Sequence, residues 1–539
     1  MHWTSRLRVW LFGLAVLIVY ATGLDHTPPH MHHDEVVIAL QSHSIATTGR
    51  DFEGRLLPLY FHMPHIEQDA WYQPAIVYLT ALFLKVLPAA EWSFRFPTAL
   101  LAALDAVLMF LVARRIFGAE RWAWIAALLL AATPAHFLLG RVVFDFIYPV
   151  PFVLGWLLAM LVYLEHRQPW RLFVATLILG AGFYSYIASM AMMPVYLAFT
   201  FFLLFANRLL TLRTASLAIA GFALPLLLLI PWTLMEPTFV LDVANRYSIG
   251  TTTTSGAGQL QSSLSGTVGN VTSGFRFSAV AERVSLYWTF FDPAYLFLMG
   301  GYTHLTATTR LVGVFLLPCI VLIPLGLVQM ATAARSALSA VIVTGFMVAP
   351  LAAVLTVRES HATSRQMSIV VFGAIIAVYG VQRLVSWRGV MGRAMASCVL
   401  VLLPLHFAFF LYHYFGAYHG YSAAPFEWNH REAFKVILDH NPPTQPRPVF
   451  LTTVRERHMD AFWKLALAVN GREELLAHTT YFDSTRMSID AIPAGALVLA
   501  NVDDKALLEA VKTGVFKEIL RVSEPADEPV FIVLERNPV

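Results

Sequence analysis

The chain has 539 residues, of which 58% are hydrophobic and only 13% are charged, and its mean hydropathy is +0.63. A soluble protein carries roughly 25% charged residues, so this composition excludes an ordinary soluble enzyme and indicates a multi-pass membrane protein. The net charge of +3 says little about partners, and no nucleic-acid partner is predicted. The only cysteines, Cys319 and Cys398, lie in apolar runs and are predicted to be core residues.

The apolar segments predict a bundle of about 11 transmembrane helices. The first span, Val9–Leu24, follows Arg6 and Arg8, and its N-terminus is predicted to be cytoplasmic. The next apolar piece, Ala75–Leu87, would reach roughly 20 Å, short of the roughly 30 Å hydrocarbon core, so residues 74–88 are predicted to form a juxtamembrane helix. The later spans are predicted at Pro97–Val112, Trp122–Leu139, Ile147–Leu164, Leu172–Tyr186, Met190–Phe205, Ala215–Leu234, Leu311–Met330, Leu338–Val357, Met367–Val385 and Ala394–Tyr414.

With these spans, the arginines gather in the predicted cytoplasmic loops, as the positive-inside rule requires. Three polar segments then lie outside the membrane. Residues 25–73 form a first outer loop, and residues 235–310 form a large mobile loop with a low-complexity tract, Thr251–Gly258. Residues 420–539 are predicted to be a small periplasmic α/β domain behind a membrane module of residues 1–415. The loop segment Thr251–Gly269 is predicted to order when substrate binds.

The first outer loop is acidic directly beside a membrane helix. Carboxylates lose hydration close to a bilayer, so Asp34 and Glu35 are expected to have a functional role. The alternative is that both acids merely favour the start of the next helix. Asp51 and Glu53 have an equally open interpretation, because they could simply pair with neighbouring arginines.

Short motifs recur in a definite order along residues 1–415. They are His33-Asp34-Glu35 with Ala39-Leu40-Gln41, Thr48 to Gly54, Arg95-Phe96-Pro97, Arg141 to Asp145, Gly182 to Tyr186, Phe290-Phe291-Asp292-Pro293 and His361 to Arg365. In this order they resemble the bacterial GT-C membrane glycosyltransferases, in particular the protein O-mannosyltransferase and lipid A aminoarabinose transferase branches. One block departs from the pattern, because Gly300-Gly301 stands where members often have Gly-Asp.

The resemblance implies a GT-C type fold, a sugar donor carried on a polyprenyl phosphate and transfer with inversion at the anomeric carbon. Asp34 occupies the family position of the general base, which an attacking hydroxyl requires. Glu35 is predicted to orient Asp34 or a sugar hydroxyl. The implied partners are the lipid-linked donor, membrane lipids and a lipid, glycan or protein acceptor.

A leaving lipid phosphate needs fixed positive charge and hydrogen-bond donors. Arg358, His361 and Arg365 form the main basic cluster of the short outer loops, and Arg95 and Arg141 are assigned to the same basin. The alternative for Arg358 and Arg365 is that they anchor helix ends at the membrane interface.

Contacts to the sugar or the acceptor are predicted for Asp51, Asp145 and Tyr184, although tyrosines at helix ends also belong to the interfacial belt. Asp145 is alternatively a ligand to a divalent cation, which is the minority interpretation. Near its start the first outer loop also contains a group of closely spaced histidines, His26, His30, His32 and His33. Their spacing is not that of a dedicated zinc site, so no metal and no cofactor is firmly predicted.

Two other functions remain open at this point. A transporter or lipid flippase would line a polar pathway with Asp34, Asp145 and the arginines, although transporters usually place such residues near the midplane. A non-catalytic, sugar-binding membrane subunit would use the C-terminal segment for interaction. The bacterial inner membrane is the predicted location.

Overall fold

The computed structural model describes residues 3–62, 71–247, 277–300, 311–356, 360–423, 426–454, 458–524 and 528–538. Arg358 and the predicted mobile segment Thr251–Gly269 lie outside these residues.

The part of the chain before residue 422 is helical. Its helices are α1 (Trp3–Ala21), α2 (His33–Thr48), α3 (Pro74–Leu84), α4 (Glu91–Phe117), α5 (Glu120–Ala131), α6 (Pro134–Leu139), α7 (Pro149–His166), α8 (Pro169–Gly182), α9 (Ser189–Ala206), α10 (Leu212–Leu226), α11 (Leu229–Met235), α12 (Phe239–Tyr247), α13 (Phe277–Thr289), α14 (Cys319–Thr332), α15 (Ala337–Val348), α16 (Leu351–Thr356), α17 (Ser368–Val385), α18 (Val390–Phe415) and α19 (Ala417–Tyr421). Most predicted spans coincide with one helix, or with two helices separated by a short break, but in the predicted span Leu311–Met330 the helix α14 begins only at Cys319. This confirms the predicted class of polytopic α-helical membrane protein.

Within the described ranges, seven helical segments are long and apolar enough to cross a membrane. They are Glu91–Phe117, Asp145–His166, Ser189–Ala206, Leu212–Met235, Ala337–Leu355, Ser368–Val385 and Val390–Gly420. Helix α3 has only 11 residues, which span about 16 Å at 1.5 Å per residue. It is therefore too short to cross the hydrocarbon core, as the sequence predicts.

Glycine allows the tightest helix contact in the bundle. A Cβ atom on Gly326 of α14 would lie 1.9 Å from the Ile376 carbonyl oxygen of α17, and one on Gly380 would lie 1.9 Å from the Leu322 carbonyl oxygen. Such backbone-to-backbone approach is typical of membrane helices, because van der Waals packing replaces the hydrophobic effect as the force between them.

Successive helices carry the chain back and forth, so alternate connections meet at one end of the bundle, called the loop end below. The contacts agree with this: Arg141, before α7, donates to the Tyr20 carbonyl at the end of α1, and Arg431 pairs with Glu91 at the start of α4. The first loop is not irregular throughout. It contains α2 and a short antiparallel hairpin of β1 (Phe61–His62) and β2 (Trp71–Tyr72).

The C-terminal region forms a five-stranded sheet with the order β4-β3-β5-β7-β6. Its strands are β3 (Val449–Thr452), β4 (Thr479–Phe482), β5 (Leu497–Asn501), β6 (Phe516–Ser523) and β7 (Pro529–Arg536), and its helices are α20 (His430–Asp439), α21 (Met459–Asn470) and α22 (Lys505–Lys512). Strands β3, β4 and β5 are parallel, while β7 is antiparallel to β5 and β6. The predicted α/β character of this region is confirmed. Its helix α21 packs against α2, so the sheet region covers the first loop.

Candidate active site

The start of α2 places the two neighbouring acids in different surroundings. His32 caps the helix: its ring Nδ1 accepts from the Asp34 N–H at 3.2 Å, and its own N–H donates to Glu35 at 3.1 Å. This reciprocal pair is a capping box. This contact is the one that the helix-start interpretation of Glu35 predicts.

Glu35 is fully buried and forms an ion pair with Arg95, which is also fully buried. The Arg95 Nε and Nη2 atoms lie 3.1 and 3.0 Å from the two carboxylate oxygens. The other guanidinium donors reach the carbonyl oxygens of Leu24, Pro28 and His30 at 2.6–2.9 Å. Since a guanidinium has five N–H donors, all of Arg95 is used inside the protein.

Arg141 is a second buried arginine that donates to backbone carbonyl oxygens in the same segment of the chain. It donates to the carbonyl oxygens of Tyr20, Gly23 and Thr27 at 2.5–3.1 Å and to the Tyr414 hydroxyl at 3.1 Å. This geometry does not support the predicted contact of Arg95 and Arg141 with a donor phosphate. It also removes Glu35 from the predicted orientation of Asp34. We call Glu35, Arg95 and Arg141 the buried clamp, because they fix the backbone of residues 20–30.

Asp34 faces the opposite way and keeps 13% of its side chain exposed. The Tyr72 hydroxyl donates to its carboxylate at 2.5 Å. The rings of His32 and His33 each bring a nitrogen to 3.6–3.7 Å from the same carboxylate. Asp34 is thus held from several sides at the loop end, yet remains accessible.

A glutamate from the C-terminal region completes this edge of the loop. The Glu427 carboxylate lies 2.6 Å from His33 Nδ1 and accepts from the His33 backbone N–H at 2.7 Å. Burial alone would lower the pKa of His33, but the hydrogen bond to Glu427 and the charges of Asp34 and Glu427 raise it. Burial alone would raise the pKa of Glu427, but the hydrogen bond from His33 and its charge lower it. The pair therefore favours imidazolium beside carboxylate. We call His33, Asp34, Tyr72 and Glu427 the open edge.

Two further connections bring an acid and an arginine near the open edge: one joins α6 to α7, and the other precedes α17. Asp145 is buried in a 3₁₀ turn, Asp145–Ile147, and interacts electrostatically with both Arg365 and Asp34. Arg365 lies in a second 3₁₀ turn, Thr363–Gln366, and borders a small cavity with Tyr186, Ser189 and Ser368. Three predicted site residues therefore gather in one region: Asp34, Asp145 and Arg365.

His361 has an environment that differs from that of Arg365. Its ring stacks on Tyr295 with the centroids 4.6 Å apart. Burial lowers the pKa of His361, an effect that the charge of Asp292 and a hydrogen bond from the ring to the Thr289 backbone carbonyl only partly oppose. His361 is thus suited to hydrogen bonding more than to supplying a fixed positive charge. Its backbone φ of +63° is unusual for a residue with a side chain.

Asp51 and Tyr184 are both held by hydrogen bonds within the protein. The Asp51 carboxylate accepts from the Arg55 Nε at 2.7 Å and its N–H at 2.8 Å, which supports the alternative interpretation as a partner of an arginine. The Tyr184 hydroxyl donates to the Pro225 carbonyl at 2.9 Å. Its ring belongs to an aromatic cluster with Tyr60, Trp71, Trp232 and Phe239.

The chain is similar to known proteins both in part of its sequence and in its fold. Residues 72–234 match the model of the dolichyl-phosphate-mannose-protein mannosyltransferase family. The crystal structure of ArnT from Cupriavidus metallidurans in the apo state aligns with a TM-score of 0.55 and 14% identity, covering 98% of each chain. The chain has the fold of a GT-C glycosyltransferase.

The structure of the same ArnT bound to undecaprenyl phosphate aligns with a TM-score of 0.54 and 13% identity, covering 99% of this chain and 98% of that one. No match to a curated protein is found. The predicted GT-C type fold of a multi-pass membrane protein is thus confirmed. The matched segment 72–234 contains Arg95, Arg141, Asp145 and Tyr184, whereas Asp34 precedes it and Arg365 follows it.

Sequence reasoning missed Tyr72, Glu427 and His458. Tyr72 stands in a conspicuous aromatic run, Trp71-Tyr72, so a signal was present. Glu427 and the His458 ring, which stacks on His33 at 4.2 Å, come from the far end of the chain. No local pattern around them indicates that they reach the first loop.

Proposed function

We propose that the protein is an inverting glycosyltransferase that moves a sugar from a polyprenyl-phosphate donor to an acceptor hydroxyl or phosphate at the outer face of the bacterial inner membrane. The observation that carries the proposal is the environment of Asp34: an accessible carboxylate at the loop end, oriented by Tyr72 and near Asp145 and Arg365. The ArnT bound to undecaprenyl phosphate supports a lipid phosphate as the carrier, because that protein shares the fold.

Asp34 acts as the general base in this mechanism. The acceptor hydroxyl approaches the anomeric carbon from the side opposite the lipid phosphate, and its proton passes to the Asp34 carboxylate as the new C–O bond forms. The bond from the anomeric carbon to the phosphate oxygen breaks, and its electron pair remains on the lipid phosphate. Attack from the opposite side inverts the configuration of the sugar.

The negative charge that develops on the leaving phosphate needs a partner, and Arg365 is suited to this role. Its side chain is part-buried beside a small cavity, whereas both clamp arginines are fully buried, and a guanidinium binds phosphate oxygens through two parallel N–H groups. The nearby Asp145 is proposed to help orient Arg365. Arg358 is proposed for the same phosphate from its sequence position alone, and His361 is proposed as a neutral hydrogen-bonding neighbour.

The buried clamp supports the base indirectly. It fixes the carbonyl groups of residues 20–30. Glu35 also accepts from the Val143 N–H at 2.8 Å, which links the connection between α6 and α7 to the start of α2. The segments that carry Asp34 and Asp145 are thereby held in fixed positions relative to each other, as catalytic geometry requires. Asp51 and Tyr184 are proposed to shape the wall of the sugar pocket through Arg55 and the aromatic cluster.

The test is transfer of radiolabelled sugar from a panel of polyprenyl-phosphate sugars by the purified protein, with crude envelope extract as acceptor. Labelled product from one donor, absent with Asp34→Asn, supports the transferase and identifies its sugar. No product from any donor, while a labelled donor lipid still binds, would contradict the proposal and favour transport or a non-catalytic subunit.

A further inference from the structure

The contact between the first loop and the C-terminal region contains a set of side chains that suits a metal ion. His32, His33 and Glu427 each direct one ligand atom into the same space, and these atoms all lie within 4.8 Å of one another. The three residues come from two segments almost 400 positions apart in sequence. Two imidazole nitrogens with one carboxylate oxygen is a ligand set that proteins use for Zn²⁺ sites with an open position.

To accept an ion, ligand atoms that now lie up to 4.8 Å apart must close by up to about 1.5 Å, while the hydrogen-bonded pair must open. Metal–ligand bonds of about 2.0–2.1 Å in tetrahedral geometry place neighbouring ligand atoms about 3.3 Å apart. His33 Nδ1 and Glu427 Oε1 are 2.6 Å apart, as they share a proton in a hydrogen bond. Replacing that proton by a metal ion widens the pair by less than about 1 Å, within the range of side-chain rotation.

The surroundings also favour a bound cation. The side chains of His32, His33 and Glu427 are 8%, 19% and 26% exposed, so the space is sheltered yet reachable from solvent. The Asp34 carboxylate lies 3.6 Å from the His33 ring and adds negative charge. Nitrogen ligands disfavour Ca²⁺ and Mg²⁺, which prefer oxygen.

The backbone at Glu427 is held in a costly conformation. Glu427 and Trp428 both have a φ of +61°, in the left-handed region that residues with side chains rarely adopt. Such a conformation is unfavourable and persists only where the surroundings fix it. Here the strained pair delivers the carboxylate to His33.

We propose that His32, His33 and Glu427 bind one divalent transition-metal ion of the zinc class, which fastens the C-terminal region to the first loop beside Asp34. The ion leaves a fourth position open to water or to a substrate oxygen. This site differs from the sequence-based expectation, which predicted no metal. It stands independently of the transferase activity, because its ligands and its test do not involve sugar transfer.

The test is calorimetric titration of Zn²⁺ into the full chain after treatment with a chelator. We expect one Zn²⁺ per chain for the wild type, and at least about tenfold weaker binding for His33→Gln and Glu427→Gln. His26→Gln is the matched control, because it removes an exposed histidine of the same loop and should bind as the wild type does. Absence of stoichiometric binding by the wild type, unchanged binding by both ligand variants, or an equal loss in the control would overturn the proposal.

A second measurement on the wild type alone avoids any dependence on how the variants fold. Co²⁺ added in place of Zn²⁺ should give the intense visible absorption of a four- or five-coordinate nitrogen and oxygen site, and Zn²⁺ should remove it. Only the weak bands of six-coordinate Co²⁺ would contradict a built site.

Discussion

The buried clamp and the open edge are adjacent in sequence and opposite in character. Asp34 and Glu35 follow one another in α2, where successive side chains are separated by about 100° around the axis. Glu35 consequently points into the bundle, where it accepts from Arg95 and from the Val143 and His32 N–H groups, whereas Asp34 points to the accessible side. Two adjacent acids beside a membrane can therefore have different roles: one stabilises the fold, and its neighbour stays accessible to substrate.

The largest effect should come from breaking the clamp. Arg95→Met leaves the Glu35 carboxylate buried without its partner, which typically costs about 3–5 kcal/mol of stability. We expect a large drop in the free energy of unfolding, or failure to accumulate folded protein, measured by thermal unfolding in detergent.

Arg431→Gln is the matched control for that change. It breaks a salt bridge with Glu91 in which the Arg431 side chain is 51% exposed, so we expect a loss of at most about 1 kcal/mol. Equal losses from the two variants would remove the distinction between the clamp and the surface.

Arg365→Ala should lower the rate of sugar transfer without unfolding the protein. Removing one group that stabilises charge in the transition state typically lowers turnover by about 10²–10³-fold. We expect the loss in kcat/KM for the donor to exceed the loss for the acceptor, since Arg365 is assigned to the donor phosphate. Steady-state kinetics with each substrate varied in turn checks this, and equal losses for both would count against the assignment.

Tyr72→Phe should have a smaller effect on turnover. It removes the hydroxyl that donates to Asp34 but keeps the ring, and a hydrogen bond to a charged group contributes about 1.5–3 kcal/mol. We expect reduced transfer per folded molecule, with a loss in the free energy of unfolding of at most about 1.5–3 kcal/mol. A variant that transfers sugar as fast as the wild type would show that Tyr72 does not orient the base.

The fold was largely predictable because membrane helices are recognisable in a sequence as long apolar runs with arginines at one end. The juxtamembrane assignment of residues 74–88 followed from length alone, and α3 agrees with it. Helix α2 was missed, since its stretch Val36–Leu40 is buried under the C-terminal region and a short apolar run does not distinguish a helix from a strand. Strands β4 and β6 were not predicted: β4 has strand-forming residues but only four of them, and β6 mixes charged and apolar residues.

The candidate site was predictable only in part. Asp34, Asp145 and Arg365 were singled out and are brought together by the bundle. Arg95 and Arg141 resembled phosphate ligands because a sequence shows charge but not burial. Glu427 could not be found, because its approach to His33 depends on how the C-terminal region docks, which no local pattern encodes.

The most direct test of the account is the rate of sugar transfer per folded molecule for Asp34→Asn, compared with Asp25→Asn, an exposed acid of the same loop. Loss of a positioned general base predicts a decrease of about 10²–10⁴-fold for Asp34→Asn, with the melting temperature and donor binding unchanged. Asp25→Asn should transfer sugar as the wild type does. Wild-type turnover by Asp34→Asn would contradict the assignment of Asp34 as the base.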